Sequence, residues 1–416
     1  MHGEACERTT ATMNDPNRMF PFSVMTKPIG PLCNLGCEYC FYLEKEGMFP
    51  SGHAFRMHED ILEAYVRQYI ESQPTAEVNF TWQGGEPTLL GLPFFEKVVA
   101  LQKTYANGKR IENSLQTNGT LLNDDWGAFL HRHDFLLGIS IDGPPHFHDT
   151  YRPDKGGGPS SDRVLRGIEV LQKHEVRFNT LTVVNRQNAK WPLVVYRYLK
   201  KIGSQYLQFI PVVERIDEAS NDLAGPPDLE GKSEDTATVT PWSVDPVDYG
   251  NFMSAIFKEW VKKDVGKVFV QLFDVTLAAW AGAPPGLCVF APKCGKGLAM
   301  ESNGDIFSCD HYVYPEYRLG NMREKHLGDI AASPQQEKFG DDKFDTLPPY
   351  CRECPHLFAC YGGCPKYRFM KTPAGDPGLN YLCPGYKRFF KTSAPAMKKM
   401  KALLDAGRAP AEIMRS

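Results

Sequence analysis

Eleven of the chain's twelve cysteines form two groups whose spacing suits metal or iron–sulfur chemistry. The first group, which we call the N-terminal trio, is a C-x3-C-x2-C loop formed by Cys33, Cys37 and Cys40. The second group lies between positions 288 and 383. Its members are Cys288, Cys294, Cys309, Cys351, Cys354, Cys360, Cys364 and Cys383. The remaining cysteine, Cys6, stands alone and is expected to be a free thiol.

Zinc sites and iron–sulfur clusters are the two alternatives for these cysteines. Zinc sites usually contain two C-x2-C pairs, whereas only Cys351 and Cys354 are spaced in that way. Eight cysteines divide evenly into two iron–sulfur clusters, so the spacing favours iron–sulfur over zinc. The N-terminal trio has no fourth cysteine nearby, which suggests a cluster with one iron open to another ligand. A zinc site there would need His53 or His58 as its fourth ligand.

The composition indicates a protein with a sizeable core and no strongly charged surface overall. The chain has 416 residues, a formal net charge of −3 and 42% hydrophobic residues. This charge balance argues against a nucleic-acid partner, and no apolar run reaches the roughly 18 residues of a membrane-spanning helix. The first 20 residues show no secretory signal, so a disulfide framework is not expected. We therefore expect a cytoplasmic protein without nucleic-acid or membrane partners.

The elements that must position the cysteines are short apolar segments alternating with helical patterns. Six strands are predicted, at residues 22–26, 78–82, 111–116, 136–141, 178–184 and 205–210. A repeated strand–helix order indicates an α/β fold with a parallel sheet, either doubly wound or a partial barrel. In both folds the active site lies at the carboxyl ends of the strands. The N-terminal trio follows the first strand, and residues 84–87, which we call the GGEP segment, follow the second.

The N-terminal trio and the GGEP segment, with Tyr39 just before the third cysteine, resemble the signature of radical S-adenosylmethionine enzymes. The resemblance implies that the trio holds a 4Fe-4S cluster whose open iron binds S-adenosylmethionine. Reduction of that cluster would cleave the cofactor to a 5′-deoxyadenosyl radical. The resemblance also implies which residues contact the cofactor: Tyr39, Gly84, Gly85, Glu86, Ser140 and Arg152. For Arg152, an ordinary surface ion pair remains an open alternative.

The eight C-terminal cysteines resemble the SPASM extension, which carries two auxiliary 4Fe-4S clusters. The resemblance implies two interleaved ligand sets. The first set consists of Cys288, Cys294, Cys309 and Cys364. The second set consists of Cys351, Cys354, Cys360 and Cys383. With the N-terminal trio this makes three 4Fe-4S clusters. Full ligation by thiolates leaves the two auxiliary clusters to carry electrons or to support the structure.

Stretches spread over residues 22–390 resemble the anaerobic sulfatase-maturating enzymes, which oxidise a cysteine or serine of a sulfatase to Cα-formylglycine. The resemblance implies that Asp310, directly after Cys309, is the base that deprotonates the substrate side chain. A turn-capping carboxylate is the alternative for this residue. Gln83 either contacts the substrate peptide or only satisfies the loop backbone. The implied partners are an unfolded or nascent sulfatase polypeptide and a low-potential electron donor such as flavodoxin or ferredoxin.

The patterns and the resemblance together predict a partial (β/α)6 TIM-like barrel, a small SPASM domain and a C-terminal helix. Amphipathic stretches predict helices at 252–261 and 269–280, and Asn303-Gly304 predicts a hairpin turn. The predicted segments are an N-terminal extension at 1–20, the barrel at 21–235, a helical connection at 236–286, the SPASM domain at 287–390 and the terminal helix at 391–416.

Two other functions stay open on the sequence. One is a SPASM-type maturase that cross-links or epimerises a ribosomal peptide. Such enzymes typically carry a peptide-recognition domain before the barrel, and 21 residues precede the first predicted strand here. The other is a zinc-binding interaction module on an inactive barrel, which accounts for the cysteines but not for the GGEP segment.

Overall fold

A computed structural model describes residues 20–42, 45, 47, 49, 55–217, 222–227 and 238–415. The predicted N-terminal extension lies outside these residues apart from Phe20, and Cys6 and His53 lie outside them as well. Within the described part of the chain, no helix has the length and apolar composition needed to cross a bilayer.

Twelve strands are present among the described residues. They are β1 (Ser23–Lys27), β2 (Glu77–Trp82), β3 (Arg110–Thr117), β4 (Leu136–Ser140), β5 (Phe178–Val184), β6 (Tyr206–Pro211), β7 (Arg215–Ile216), β8 (Thr238–Val239), β9 (Phe269–Val270), β10 (Gly297–Glu301), β11 (Asp305–Phe307) and β12 (Arg318–Asn321). The first six agree with the six predicted strands to within one residue at each end, which confirms that prediction.

Thirteen α-helices are present in the same residues. They are α1 (Glu59–Ser72), α2 (Leu92–Tyr105), α3 (Asp124–Arg132), α4 (Pro145–Tyr151), α5 (Ser161–Lys173), α6 (Pro192–Lys201), α7 (Pro246–Lys263), α8 (Gln271–Trp280), α9 (Leu327–Ala331), α10 (Pro334–Asp345), α11 (Pro349–Arg352), α12 (Leu357–Cys360) and α13 (Cys383–Asp405). The helices predicted at 252–261 and 269–280 correspond to α7 and α8, except that residues 269 and 270 form β9.

The strands β1 to β6 lie side by side in chain order, and each pairs in parallel with the next. Helices connect them, so the arrangement is the predicted partial (β/α)6 barrel. The sheet is open, because its two outer strands are β12 and β9. The carboxyl ends of β1 to β6 share one edge of the sheet, and the loops that follow them form the rim on which a barrel site is built.

Aromatic side chains fill the space between the first strands and the first helices. Tyr65 and Tyr69 of α1 pack against Phe80 and Trp82 of β2, with ring centroids 5.0 to 6.0 Å apart. All four side chains are almost completely buried. Burial of one such ring stabilises the fold by about 1.5–3 kcal/mol, so this core holds β2 firmly against α1.

The hairpin of β10 and β11 joins the barrel sheet, a relation that the sequence did not predict. β10 pairs in parallel with β1, which places Lys27 opposite Glu301. The turn falls at the predicted Asn303-Gly304, and Gly304 has φ of +87°, a conformation that glycine adopts without strain. β12 continues the sheet beyond β11. The cysteine-rich segment therefore shares its sheet with the barrel.

The last helix begins earlier than the sequence analysis predicted. α13 runs from Cys383 to Asp405, so the boundary predicted between residues 390 and 391 falls inside it. Pro384 and Gly385 are typical of turns, but proline is tolerated in the first turn of a helix. The glycine is needed for packing, because a Cβ on Gly385 would lie 2.2 Å from the carbonyl oxygen of Pro246 at the start of α7.

Candidate active site

The loop that carries the N-terminal trio follows β1 and is bonded to the GGEP segment. The amide of Gly85 donates to the carbonyl of Gly30 at 2.6 Å, and the amide of Glu86 donates to the carbonyl of Leu32 at 2.8 Å. A Cβ on Gly85 would lie 1.9 Å from the Leu32 carbonyl oxygen. Gly84 has φ of +131° and packs against the carbonyl of Gly30. Both positions therefore require glycine, and the segment holds the cysteine loop from one side.

Glu86 lies inside the protein, where its carboxylate bonds to the loop after β3. It accepts hydrogen bonds from the amide and hydroxyl of Thr88 at 3.0 and 2.6 Å, from the Thr117 hydroxyl at 2.7 Å and from the Asn118 amide at 2.7 Å. Burial raises the pKa of Glu86, and these four bonds oppose that rise. Glu86, which the sequence analysis predicted to contact the cofactor, therefore links the loop after β2 to the loop after β3.

Asn118 connects the same loop to the cysteines. Its side-chain amide lies 3.8 Å from Cys33 Sγ and donates to the side-chain oxygen of Asn34 at 2.8 Å. Burial raises the pKa of Cys33 to about 11 and that of Cys37 to about 12. These thiols are protonated at neutral pH without a counter-charge, and bound iron supplies one. The N-terminal trio therefore suits a metal cluster.

A buried ion pair forms another part of the rim. Arg152 Nε and Nη2 donate to the two carboxylate oxygens of Asp142 at 3.1 and 3.3 Å. The hydroxyl of Tyr39 also donates to Asp142, and the Arg152 guanidinium lies 5.3 Å from the Tyr39 ring centroid. All three residues are buried, so Arg152 does not form the surface ion pair considered as its alternative. Asp142, to which the sequence analysis gave no role, is the centre of this group.

Ser140 ends β4 at the same edge, where its hydroxyl accepts a hydrogen bond from the side-chain amide of Gln116 at 3.1 Å. Its side chain is half-buried. The loops after β1, β2, β3 and β4 thus bring the N-terminal trio, the GGEP segment, Ser140 and the Arg152–Asp142 pair to one edge of the sheet.

Asp310 lies in a short turn of 3-10 helix directly after Cys309 and pairs with Lys27, the last residue of β1. Lys27 Nζ is 2.5 Å from Asp310 Oδ1, and the two side chains are 2% and 17% exposed. Burial alone would raise the pKa of Asp310, but the charge of Lys27 leads the opposing effects and holds the pKa below its ordinary value. Asp310 is therefore a carboxylate at neutral pH.

Three more side chains surround the ammonium group of Lys27. It donates to Gln83 Oε1 at 3.3 Å and lies 4.0 Å from the ring centroid of Tyr42. The Tyr42 hydroxyl donates to Glu301, whose pKa burial raises to about 7. Sequence reasoning missed Lys27, Tyr42 and Glu301. A lysine at the end of the first strand was the one available signal for this site.

In the structure the C-terminal thiols that act electrostatically on one another fall into two groups, whose members agree with the two implied sets, while cluster binding by either group stays a prediction. After burial, the neighbouring thiols that raise the pKa of Cys309 and Cys364 all belong to the first set. Those that raise the pKa of Cys360 and Cys383 all belong to the second set. The two groups of cysteines therefore alternate along the chain but lie apart in the structure.

The four cysteines of the second set line one pocket, together with side chains that include Leu357, Tyr386 and Phe390. Burial raises the pKa of Cys360 to about 12 and that of Cys383 to about 11, as expected for thiols that need a metal to become thiolates. Among the described residues, no three His, Cys, Asp or Glu side chains converge on a single ion. In a 4Fe-4S cluster each cysteine binds its own iron, so the four thiols need only surround the pocket.

Two buried cations accompany the first set. Lys343 Nζ donates to the carbonyls of Cys288 and Val289 at 2.5 and 2.9 Å. Arg368 donates to four backbone carbonyls, among them those of Gly362 and Lys343. Both side chains are 1% exposed. Both cations act on Cys294 and Cys364, and Arg368 also acts on Cys351 of the second set. Their positive charge would offset the negative charge of a cluster bound by these thiolates.

Two family profiles match the chain. Residues 28–199 match the radical SAM superfamily, and residues 288–355 match an iron-sulfur cluster-binding domain named SPASM. The first range contains the N-terminal trio, the GGEP segment and Arg152. The second contains five of the eight C-terminal cysteines.

Several proteins are similar to the chain over nearly its whole length. A serine-type anaerobic sulfatase-maturating enzyme of Bacteroides thetaiotaomicron is 48% identical over 396 residues, which are 95% of each chain. A cysteine-type enzyme of Clostridium perfringens is 32% identical over 91% of this chain and 98% of its own.

Solved structures agree with this relationship. The structure of native anSMEcpe with bound AdoMet and Kp18Cys peptide has a TM-score of 0.78 and 32% identity, covering 92% of this chain and 99% of its own. Streptococcus suis SuiB bound to S-adenosylmethionine has a TM-score of 0.59 but only 14% identity, and so shares the fold alone. The chain therefore belongs to the anaerobic sulfatase-maturating enzymes and is a radical SAM oxidoreductase with an iron–sulfur-binding SPASM domain.

Proposed function

We propose that this chain oxidises a serine or cysteine side chain of a sulfatase polypeptide to Cα-formylglycine. The observation that carries the proposal is the Lys27–Asp310 ion pair, which holds a carboxylate directly after Cys309 of the first set, while the same ammonium group donates to Gln83. Relatives named as sulfatase-maturating enzymes support the substrate class.

The N-terminal trio would hold a 4Fe-4S cluster with S-adenosylmethionine, which together supply the 5′-deoxyadenosyl radical that removes a Cβ hydrogen from the substrate. Tyr39, Ser140 and Arg152 would line the cofactor site at the edge of the sheet, with Gly84 and Gly85 giving the backbone room to approach. Glu86 would act by positioning, because its carboxylate already accepts four hydrogen bonds from the protein.

Asp310 would accept the proton of the substrate hydroxyl or thiol. Oxidation of the side chain to an aldehyde-level carbon removes one hydrogen atom, one proton and one further electron. The carboxylate takes the proton, and Lys27 keeps that carboxylate charged and in place before the reaction. Gln83 is within reach of the same ammonium group and would contact the substrate peptide.

The first and second sets of cysteines would hold two auxiliary 4Fe-4S clusters, which makes three in all. Cys309 of the first set is adjacent in sequence to Asp310, so the remaining electron would leave close to where the proton is taken. A low-potential carrier such as flavodoxin or ferredoxin would exchange electrons with the enzyme. The higher identity to the serine-type relative, 48% against 32%, supports serine as the side chain oxidised.

The experiment compares Asp310→Asn with the wild type on a sulfatase peptide, with dithionite and S-adenosylmethionine under anaerobic conditions. We expect the wild type to form 5′-deoxyadenosine and a peptide with the mass of the formylglycine product. Asp310→Asn should keep its iron and lose most of the peptide product. Asp274→Asn, which changes a half-buried carboxylate on α8, is the matched control. Wild-type 5′-deoxyadenosine with an unchanged peptide, or full activity of Asp310→Asn, would refute the proposal.

A further inference from the structure

The helix α13 carries an unbalanced positive charge in a chain whose net charge is −3. Residues 383–404 contain six lysines and arginines and no aspartate or glutamate. Four of the six are exposed and form what we call the basic face: Arg388, Lys391, Lys398 and Lys399. At 1.5 Å per residue the basic face extends for about 16 Å along the helix.

Neighbouring carboxylates do not neutralise the basic face. Within the described residues none of its four cations forms an ion pair. The ammonium group of Lys398 lies 5.6 Å from the ring centroid of Trp280. Of the carboxylates on elements that pack against α13, two pair with cations elsewhere, and within the described residues Asp248 of α7 and Asp274 of α8 form no ion pair with the basic face. Glu259 of α7 pairs with Arg197, and Glu412, which follows α13, pairs with Arg408. The positive potential is therefore available to a partner in solution.

The basic face lies on the same helix as a cysteine of the second set and begins five residues after it. Cys383, a member of that set, is the first residue of α13. Lys387 lies one turn further along the helix, lines the pocket of the second set and donates to the hydroxyl of Tyr350 at 2.6 Å. A protein seated on the basic face would thus sit beside the part of the second set that reaches the surface.

We propose that the basic face docks an acidic one-electron carrier protein of the flavodoxin or ferredoxin class beside the second set of cysteines. This inference rests on the proposed function, in which oxidation of the substrate leaves one electron with the enzyme in each turnover. Cleavage of S-adenosylmethionine would consume one electron from the cluster of the N-terminal trio in the same turnover. The carrier would therefore accept the substrate's electron at the second set and, in its reduced form, return one electron to the cluster of the N-terminal trio. The enzyme would then regain its starting oxidation state, with no net change in the carrier. An acidic partner fits because complementary charge accelerates and orients such encounters.

The test measures binding of a purified, net-negative flavodoxin to anaerobically prepared full-length enzyme. The variant Lys391→Glu/Lys398→Glu/Lys399→Glu reverses three charges of the basic face. We expect its dissociation constant to be at least about ten-fold higher at about 50 mM salt, with a flatter dependence on salt than in the wild type. The control Arg67→Glu/Lys103→Glu/Arg132→Glu makes the same charge change on the exposed sides of α1, α2 and α3 and should bind almost as the wild type does.

Iron content and visible absorbance of both variants establish that they are folded. An equal loss of binding in the two variants would show a non-specific charge effect and overturn the proposal. Failure of the wild type to bind flavodoxin, or preferential binding of a DNA duplex to the basic face, would overturn it as well. Peptide oxidation driven by dithionite is measured separately on the wild type. If the wild type bound flavodoxin but did not oxidise the peptide, the proposed function would be refuted and the docking surface would not.

Discussion

Lys27 and Asp310 form a buried ion pair, with 2.5 Å between Nζ and Oδ1, although one lies in the first strand and the other in the cysteine-rich segment. The pairing of β1 with β10 brings them together, because it places Lys27 beside Glu301. The short antiparallel strand β11 follows β10, and Cys309 and Asp310 come directly after it in the turn that contacts Lys27. The extension of the barrel sheet therefore builds the candidate active site.

Replacing Lys27 with methionine should uncouple radical formation from peptide oxidation. The methionine has a similar length but no charge, so Asp310 loses the group that holds its carboxylate. We expect 5′-deoxyadenosine to form while peptide product falls by about a hundred-fold, the lower range for loss of a positioned base. The measurement is the molar ratio of the two products by mass spectrometry.

Lys27→Arg is the conservative control for that experiment, because it keeps a cation at the end of β1. It should recover part of the coupling that Lys27→Met loses. Breaking a buried ion pair costs about 3–5 kcal/mol, so the iron content of each variant must first match that of the wild type. A folded Lys27→Met enzyme with the wild-type product ratio would contradict a positioning role for Lys27.

Replacing Glu301 with glutamine should remove a pH dependence of stability. Burial raises the pKa of Glu301 to about 7 from an ordinary 4.5. The folded state therefore retains this proton longer than the unfolded state, and the free energy of unfolding falls as the pH rises from 4.5 to about 7. The total effect is on the order of 3 kcal/mol. Above pH 7 this contribution is constant.

The measurement for Glu301 is the melting temperature of anaerobic wild-type and Glu301→Gln protein across that pH window. Glutamine keeps an acceptor for the Tyr42 hydroxyl, so the hydrogen bond is preserved in the variant. We expect the wild type to lose stability relative to the variant as the pH rises. Parallel melting curves would show that Glu301 has an ordinary pKa in the folded protein.

Replacing Gly85 with alanine should remove the cluster of the N-terminal trio and leave the other two. The new Cβ would meet the carbonyl oxygen of Leu32 at 1.9 Å, so the GGEP segment and the cysteine loop must separate. We expect iron to fall from about 12 to about 8 atoms per chain, with loss of S-adenosylmethionine cleavage. Gly47→Ala is the control, because nothing lies within 4 Å of its Cβ position. Equal iron in both variants would contradict this account.

Local patterns in the sequence were sufficient for much of the fold. The six barrel strands and the Asn303-Gly304 turn were predicted correctly because each depends on residues close together in the chain. The parallel pairing of β1 with β10 could not be predicted, since it joins segments about 270 residues apart and leaves no local pattern. The start of α13 was misplaced because the packing of Gly385 on Pro246 overrides the turn tendency of that sequence.

The site was predictable only where a residue type has few alternative uses. Cysteines at cluster spacing and glycines in the GGEP segment carry their own signal, and the structure brings the cysteines together in two sets. Asp142 carries no such signal and Lys27 only a weak one, because a lysine or aspartate at a strand end is most often solvated. Their burial, and hence their importance to the rim, is a property of the assembled sheet.

The grouping of the C-terminal cysteines leads to a prediction about pairs of substitutions. Cys309 and Cys364 belong to the first set and Cys360 to the second, although Cys360 and Cys364 are only four positions apart. Cys309→Ala should remove about four irons per chain, and Cys309→Ala/Cys364→Ala should remove no more. Cys309→Ala/Cys360→Ala should remove about eight, because it disables both auxiliary clusters.

Iron and acid-labile sulfide are measured on anaerobically reconstituted protein, with Cys6→Ala as the control for loss of a thiol outside both sets. The within-set and between-set double variants remove the same number of cysteines. A difference in iron content between these double variants therefore depends on which thiols share a cluster, because the number of remaining thiols is the same. If sequence neighbours shared a cluster, Cys360→Ala/Cys364→Ala would lose only about four irons. The spatial sets require it to lose about eight, since each substitution disables a different cluster.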